Sequence, residues 1–168
     1  MKILNRRSWA IVGLIAAALA VGLGGHSTAN AFDFSGAGGK LGYSNPEDVN
    51  GTTEVGVHAE FEQHGTQLHL LPNLMYWNED RMRDVSPNLD VYYHFNREGR
   101  VTPYFGGGLG LHFIRDERGD RGGTDVGMNL LGGLRFPGAG NHYFLEGRYT
   151  ATELSQFAVL GGVTFHTR

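Results

Sequence analysis

The chain has 168 residues, with 14 Lys and Arg against 17 Asp and Glu, 27 glycines and no cysteine. That length accommodates one domain, and the absence of cysteine excludes a disulfide scaffold and a thiolate-ligated zinc site. The acidic balance argues against a nucleic-acid binder, which would carry a basic footprint, and glycine at about twice its usual ~7% follows no collagen period.

The first thirty-one residues read as a cleavable signal peptide, and residues 32–168 as the functional domain. Lys2, Arg6 and Arg7 precede an apolar run of fifteen residues, Trp9–Leu23, and Ala29-Asn30-Ala31 supplies an A-x-A cleavage motif. The run is shorter than the ~20 residues of a spanning helix, and polar His26-Ser27-Thr28 follows it. Processing after Ala31 removes three of the 14 basic residues and no acidic one, so 11 basic and 17 acidic groups remain, a net of −6. No later segment approaches spanning-helix length, so a membrane protein built from the rest must use strands.

Eight segments alternate with period two, as barrel strands do. Gly36–Tyr43 sets Ala37, Leu41 and Tyr43 against Gly38, Lys40 and Gly42. Glu54–Gln63 is the cleanest, with Val55, Val57, Ala59 and Phe61 against Glu54, His58, Glu60 and Glu62. Leu68–Trp77 places His69 and Asn73, with the less polar Leu71, Met75 and Trp77, opposite Leu68, Leu70, Leu74 and Tyr76. Pro87–Phe95 places Asp90, Tyr92 and His94 opposite Leu89, Val91 and Tyr93. Val101–Phe113 carries Gly106, Gly108, Gly110 and His112 on its polar face. Asp125–Phe136 carries Asn129 and Arg135, Tyr143–Tyr149 carries Phe144, Glu146 and Arg148, and Phe157–Phe165 carries Ala158, Gly162 and Thr164. Pro72 falls within the third segment, where its missing N–H predicts a bulge. The connections alternate long and short, with Ser44–Thr53, Asn78–Ser86 and Arg115–Thr124 the long ones, as expected when the two rims face different compartments.

The leader, the eight segments, the run Pro103–Gly110 (PYFGGGLG) and the closing Leu145-Glu146-Gly147-Arg148-Tyr149 and Leu160-Gly161-Gly162-Val163-Thr164-Phe165 resemble small outer-membrane β-barrels, of which the OmpA-type transmembrane domain and the opacity-type porin-like proteins are the nearest analogues. The resemblance implies an all-β, eight-stranded antiparallel up-and-down transmembrane barrel. It further implies outer-membrane lipids and lipopolysaccharide as surroundings, insertion by the barrel assembly machinery, a monomer, and no cofactor. One departure is the end of the last segment, where His166-Thr167-Arg168 follow Phe165 instead of a terminal aromatic. Residues 32–168 also leave no room for the soluble peptidoglycan-binding domain of larger members.

Alternation alone does not separate this barrel from a soluble lipocalin-like ligand-binding barrel with its apolar face inward. The polar face does, because it carries ionisable groups of both signs at mid-strand: Lys40, Glu60, Asp90, Arg135, Glu146 and Arg148, with His58, His69, His94 and His112. In a lumen these are expected to pair as an ion network. The aromatic residues near segment ends, Tyr43, Tyr76, Tyr93, Phe113, Phe136, Tyr149 and Phe165 among them, predict interfacial girdles on the other face.

Functional motifs are sparse. The four lumen-register histidines lie on four segments without a close spacing such as H-x-x-x-H, so they read as hydrogen-bonded lumen residues and no metal site is expected. Ser35, Ser44, Ser86 and Ser155 lie in no nucleophile motif, and the His-x-Ser pattern of lipid A deacylases is absent. Arg118-Gly119-Asp120, in the charged loop Arg115–Gly123, is a candidate adhesion tripeptide on an exposed tip. The expected function is a non-enzymatic surface or envelope scaffold whose loops meet lipopolysaccharide or host molecules. A lipid A-modifying enzyme, a narrow channel and the lipocalin-like barrel are the alternatives.

Overall fold

The structure, a computed structural model, describes residues 32–79, 82–95, 101–116 and 122–167. The leader and the Arg118-Gly119-Asp120 tripeptide lie outside the described residues. Eight strands follow in chain order: β1 (Phe32–Pro46), β2 (Thr52–Gln63), β3 (Leu68–Glu79), β4 (Met82–His94), β5 (Thr102–Asp116), β6 (Gly122–Pro137), β7 (Asn141–Ala151) and β8 (Gln156–His166). Each pairs antiparallel with its neighbours in sequence, and β1 closes onto β8. Closure leaves no free edge, which is what allows strands to cross hydrocarbon with their backbone groups satisfied.

The strands outrun the alternation that announced them. β3 continues to Glu79 and β4 begins at Met82, so Asn78–Ser86 is not a long loop. Beyond the apolar belt the outward side chains become polar, as at Asn78 and Arg83, and the two-face contrast fades while the ladder goes on. The same lengthening trims the β1–β2 connection to residues 47–51 and the β7–β8 connection to 152–155. The loop-length contrast expected between the rims is therefore lost among the described connections. On the opposite rim the tight turns 64–67 and 138–140 use Gly65 and Gly140 at φ +76° and +80°, conformations glycine adopts without a Cβ penalty. Both ends of the described chain, Phe32 and Thr167, lie at this rim.

Pro72 produces no bulge. The β2–β3 ladder holds one register from Glu54↔Trp77 to Glu62↔His69 and lapses only opposite Pro72 and Leu71. Pro87 does the same on the far side of β4, where pairing with β5 skips Ser86 and Pro87 between Val85↔Phe113 and Asn88↔Gly110. Each ring simply removes a donor, and the long ladders on either side keep the register fixed. The register shift in these ladders that was not anticipated lies in β1, between Phe34 and Gly36.

The face question is settled by burial. Large apolar residues point outward and are exposed, including Leu41, Val57, Leu109, Leu130, Leu145 and Val159, while the charged mid-strand residues are buried inside. Tyr43, Tyr76, Phe113, Tyr149 and Phe157 ring this belt toward one rim, and Tyr93, Phe95, Phe136, Tyr143 and Phe165 toward the other. A lipocalin-type barrel has the reverse polarity.

Candidate functional site in the barrel lumen

An eight-stranded barrel has an interior just wide enough to be filled by side chains. Here Leu71, Tyr92, Tyr104 and Leu131 form one apolar cluster with Phe144 against it, and Met75, Ala158 and Leu160 form another. Leu71, Met75 and Trp77, ambiguous by residue type, are all lumen residues. The glycines of β5 make room for what faces them. A Cβ on Gly106 would meet Tyr92, one on Gly108 would press into Asp90 Oδ1, and one on Gly110 would press into Asn88 Oδ1.

At mid-height the lumen is closed by two cations and two carboxylates. Lys40 Nζ on β1 donates to Glu146 Oε1 on β7 at 3.3 Å. Arg148, two residues on and on the same face, donates from Nε to the same oxygen at 3.1 Å and from Nη2 to Asp90 Oδ2 at 2.7 Å. Neutral donors complete the set: Tyr104 Oη to Glu146 Oε2 at 3.2 Å, Asn73 Nδ2 to Asp90 Oδ2 at 2.8 Å, and Asn129 Nδ2 to Asp90 Oδ1 at 2.9 Å. Thr150 Oγ1 then donates to Asn129 Oδ1 at 2.9 Å. All these groups are buried. Charges out of water are tolerable only when paired and hydrogen-bonded to this degree.

A second cluster lies nearer the tight-turn rim, below a vestibule of about 790 Å³ that opens there. Glu60 on β2 is fully buried and takes contacts from four sides: Tyr92 Oη donates to Oε1 at 2.7 Å, His69 Nδ1 lies 2.8 Å from Oε1, Arg135 Nη1 lies 3.4 Å from Oε1, and His142 Nε2 lies 3.5 Å from Oε2. Arg135 reaches further, with Nη1 3.3 Å from His94 Nε2 and Nη2 3.1 Å from His166 Nε2. His69 stacks on Tyr92 with centroids 5.1 Å apart and meets His94 edge-on at 4.4 Å.

The six residues singled out by the charge pattern thus divide into two groups. Lys40, Asp90, Glu146 and Arg148 meet in the middle, and Glu60 with Arg135 stands apart in the lower cluster. His142 and His166 were not among the candidates, although each occupies the lumen register of its strand, two residues from Phe144 and Thr164. Toward the other rim, His112 Nδ1 lies 2.6 Å from Asp84 Oδ2, the orientation of a histidine by a carboxylate. Its Nε2 lies close to Gly110 and Gly127. Ser44 and Ser86 are buried in the lumen wall, away from any lipid boundary.

No family model matches the chain, and no curated protein matches it. Solved structures do. The chain is similar to Neisserial surface protein A, NspA, at 14% identity and TM-score 0.64, over 80% of this chain and 96% of that one. It is similar to the N-terminal β-barrel domain of Pseudomonas aeruginosa OprF at 18% identity and TM-score 0.62, over 81% and 99%. The fold is that of the small outer-membrane barrels. The outer membrane enzyme PagL shares it too, at 14% identity and TM-score 0.50, over 76% of this chain and 97% of its own. One architecture therefore accommodates a surface protein and an enzyme, and function is decided by the site it carries.

Proposed function

We propose that this protein is an outer-membrane barrel acting as a non-enzymatic envelope scaffold, with the loops between β1 and β2, β3 and β4, β5 and β6, and β7 and β8 presented to lipopolysaccharide or partner molecules. The observation that carries this reading is the joint placement of an exposed apolar belt and a mid-lumen cross-section closed by Lys40, Glu146, Arg148 and Asp90. The belt supplies a lipid-compatible wall, and the closed lumen argues against solute passage. Among the described residues, the outward face at the belt is apolar and aromatic, without the acid–base pair that proton-transfer catalysis at that boundary would use. In this reading the chain is exported with residues 1–31 removed, inserted by the barrel assembly machinery, and monomeric. Arg118-Gly119-Asp120 would sit at an exposed tip.

Expression in a Gram-negative host tests the reading. The protein should fractionate with outer membranes, show heat-modifiable gel migration, begin at Phe32, leave lipid A masses unchanged and give no discrete conductance in planar bilayers. An expression-dependent shift in lipid A mass, abolished by a point substitution, would establish the PagL-like enzyme reading in its place.

A further inference from the structure

The lower cluster holds a feature that the scaffold role does not use. Glu60, His69 and His94 come from three adjacent strands, all three are buried, and one potential ligand atom from each lies within 4.8 Å of the other two. We propose that these residues form a binding site for a divalent transition-metal ion of the zinc class, loaded from the vestibule at the tight-turn rim.

The ligand chemistry points to that class. Two imidazoles and one carboxylate suit borderline first-row ions, whereas calcium and magnesium prefer sets of oxygens. Three protein ligands leave a position open, and the vestibule gives it access, since His69, His94, Arg135, His142 and His166 all line that cavity. Its mouth carries further carboxylates and an imidazole, with Asp33 Oδ2 2.7 Å from His64 Nδ1 and Glu62 Oε1 3.8 Å from His69 Nδ1. A passing cation therefore meets negative charge on the way in. The surroundings hold the ligands still. Tyr92 Oη fixes Glu60 Oε1, the His69 ring lies flat on Tyr92, and Tyr92 packs edge-on against His94 at 5.0 Å. Partners of this kind orient first-row metal ligands and raise their affinity.

Arg135 shows that the place already suits a cation. Its guanidinium reaches toward Glu60, His94 and His166, the arrangement expected where electron pairs converge. Its side chain is 18% exposed, whereas Glu60, His69 and His94 are buried, so it can turn into the vestibule while the buried ligands stay in place. Metal binding is then an exchange of one cation for another. Glu60 keeps a positive partner throughout, and His142, 3.5 Å from Glu60 Oε2, can follow the carboxylate. The exchange also accounts for the gathering of imidazoles here, His69 and His142 on the carboxylate itself and His94 and His166 on the guanidinium.

The test uses the untagged barrel folded in detergent micelles, with folding checked by heat-modifiable migration. Zinc is titrated calorimetrically, and cobalt is followed by its visible absorption. The expected result is one equivalent of either ion, lost in both His69→Ala and His94→Ala. Tyr92→Phe should weaken binding by about 10- to 100-fold, and Arg135→Gln should tighten it by about tenfold or more by removing a competing charge. Saturable binding that survives both histidine substitutions would overturn the proposal, because exposed His64 or the mouth carboxylates would then be the ligands. Failure of the natural chain to bind zinc would overturn it as well, even if Arg135→Gln bound. None of these results bears on lipid A chemistry or conductance, so the scaffold reading stands or falls separately.

Discussion

The two charged clusters of the lumen are each built on a buried carboxylate and an arginine, yet they behave as different materials. In the middle, Glu146 and Asp90 each face a formal cation at close range, and the neutral donors Tyr104, Asn73 and Asn129 saturate what remains of them. Nothing there reaches solvent, so the group can only be whole or broken. In the lower cluster the single carboxylate Glu60 is shared among one guanidinium and neutral-capable imidazoles, and a vestibule adjoins it. Pairing alone therefore does not define a structural salt bridge. What matters is whether water or another ion can substitute for a partner.

The largest effect should come from Arg148→Ala, which strands Asp90 without a cation in the dry middle and leaves Glu146 with Lys40 alone. Loss of one partner of a buried pair costs about 3–5 kcal/mol, so the urea midpoint of the micelle-folded barrel should fall steeply. An unchanged midpoint would show that the middle is wet like the mouth. Next is Leu145→Arg, one residue from Glu146 but on the outer face, exposed to the belt. A guanidinium there should cost about 2–4 kcal/mol in a bilayer. A change confined to a few tenths would mean that this face does not contact lipid. Gly108→Val forces a branched side chain against the Leu89 carbonyl and Asp90, and overpacking of that kind should cost about 1–3 kcal/mol in the same urea titration; Gly108→Ala should cost less. The smallest effect should be Arg135→Gln, because Arg135 is the partly exposed partner and Tyr92, His69 and His142 still contact Glu60. A shift of about 1 kcal/mol or less is expected, and a loss as large as that of Arg148→Ala would erase the distinction between the clusters.

Much of the barrel is legible in the sequence, because the period-two signal is a direct image of a wall with lipid-like and lumen faces. It fails where one face stops differing from the other. Asp84 and Ser86 are lumen residues of β4, yet they sit beside Arg83 and Pro87, and the segment reads as a loop. The opposite failure occurs at Met75 and Trp77, apolar residues that fill the interior because the barrel needs bulk there as well as charge. Charge pattern located Lys40, Glu60, Asp90, Arg135, Glu146 and Arg148 in the lumen register, but not who meets whom. That depends on stagger between strands, so Arg148 contacts Asp90 fifty-eight positions away while Glu60 sits a layer lower. The convergence of Glu60, His69 and His94 was invisible for the same reason. Sequence spacing reports ligands that share one helix or turn, and these are on three strands.

The two prolines bracket a single hairpin. Between them the β3–β4 ladder runs unbroken from Leu68↔Tyr93 to Glu79↔Met82, while the seams that join this hairpin to β2 and to β5 each have a gap. The wall is therefore not one uniform fabric but a six-strand sheet with a two-strand panel sewn in by interrupted stitching. Cooperative opening follows the seams of lowest local stability. In amide hydrogen–deuterium exchange the panel should consequently behave as its own unit, with protection falling first beside Ala59 and Leu111 and lasting longest along the β3–β4 ladder itself.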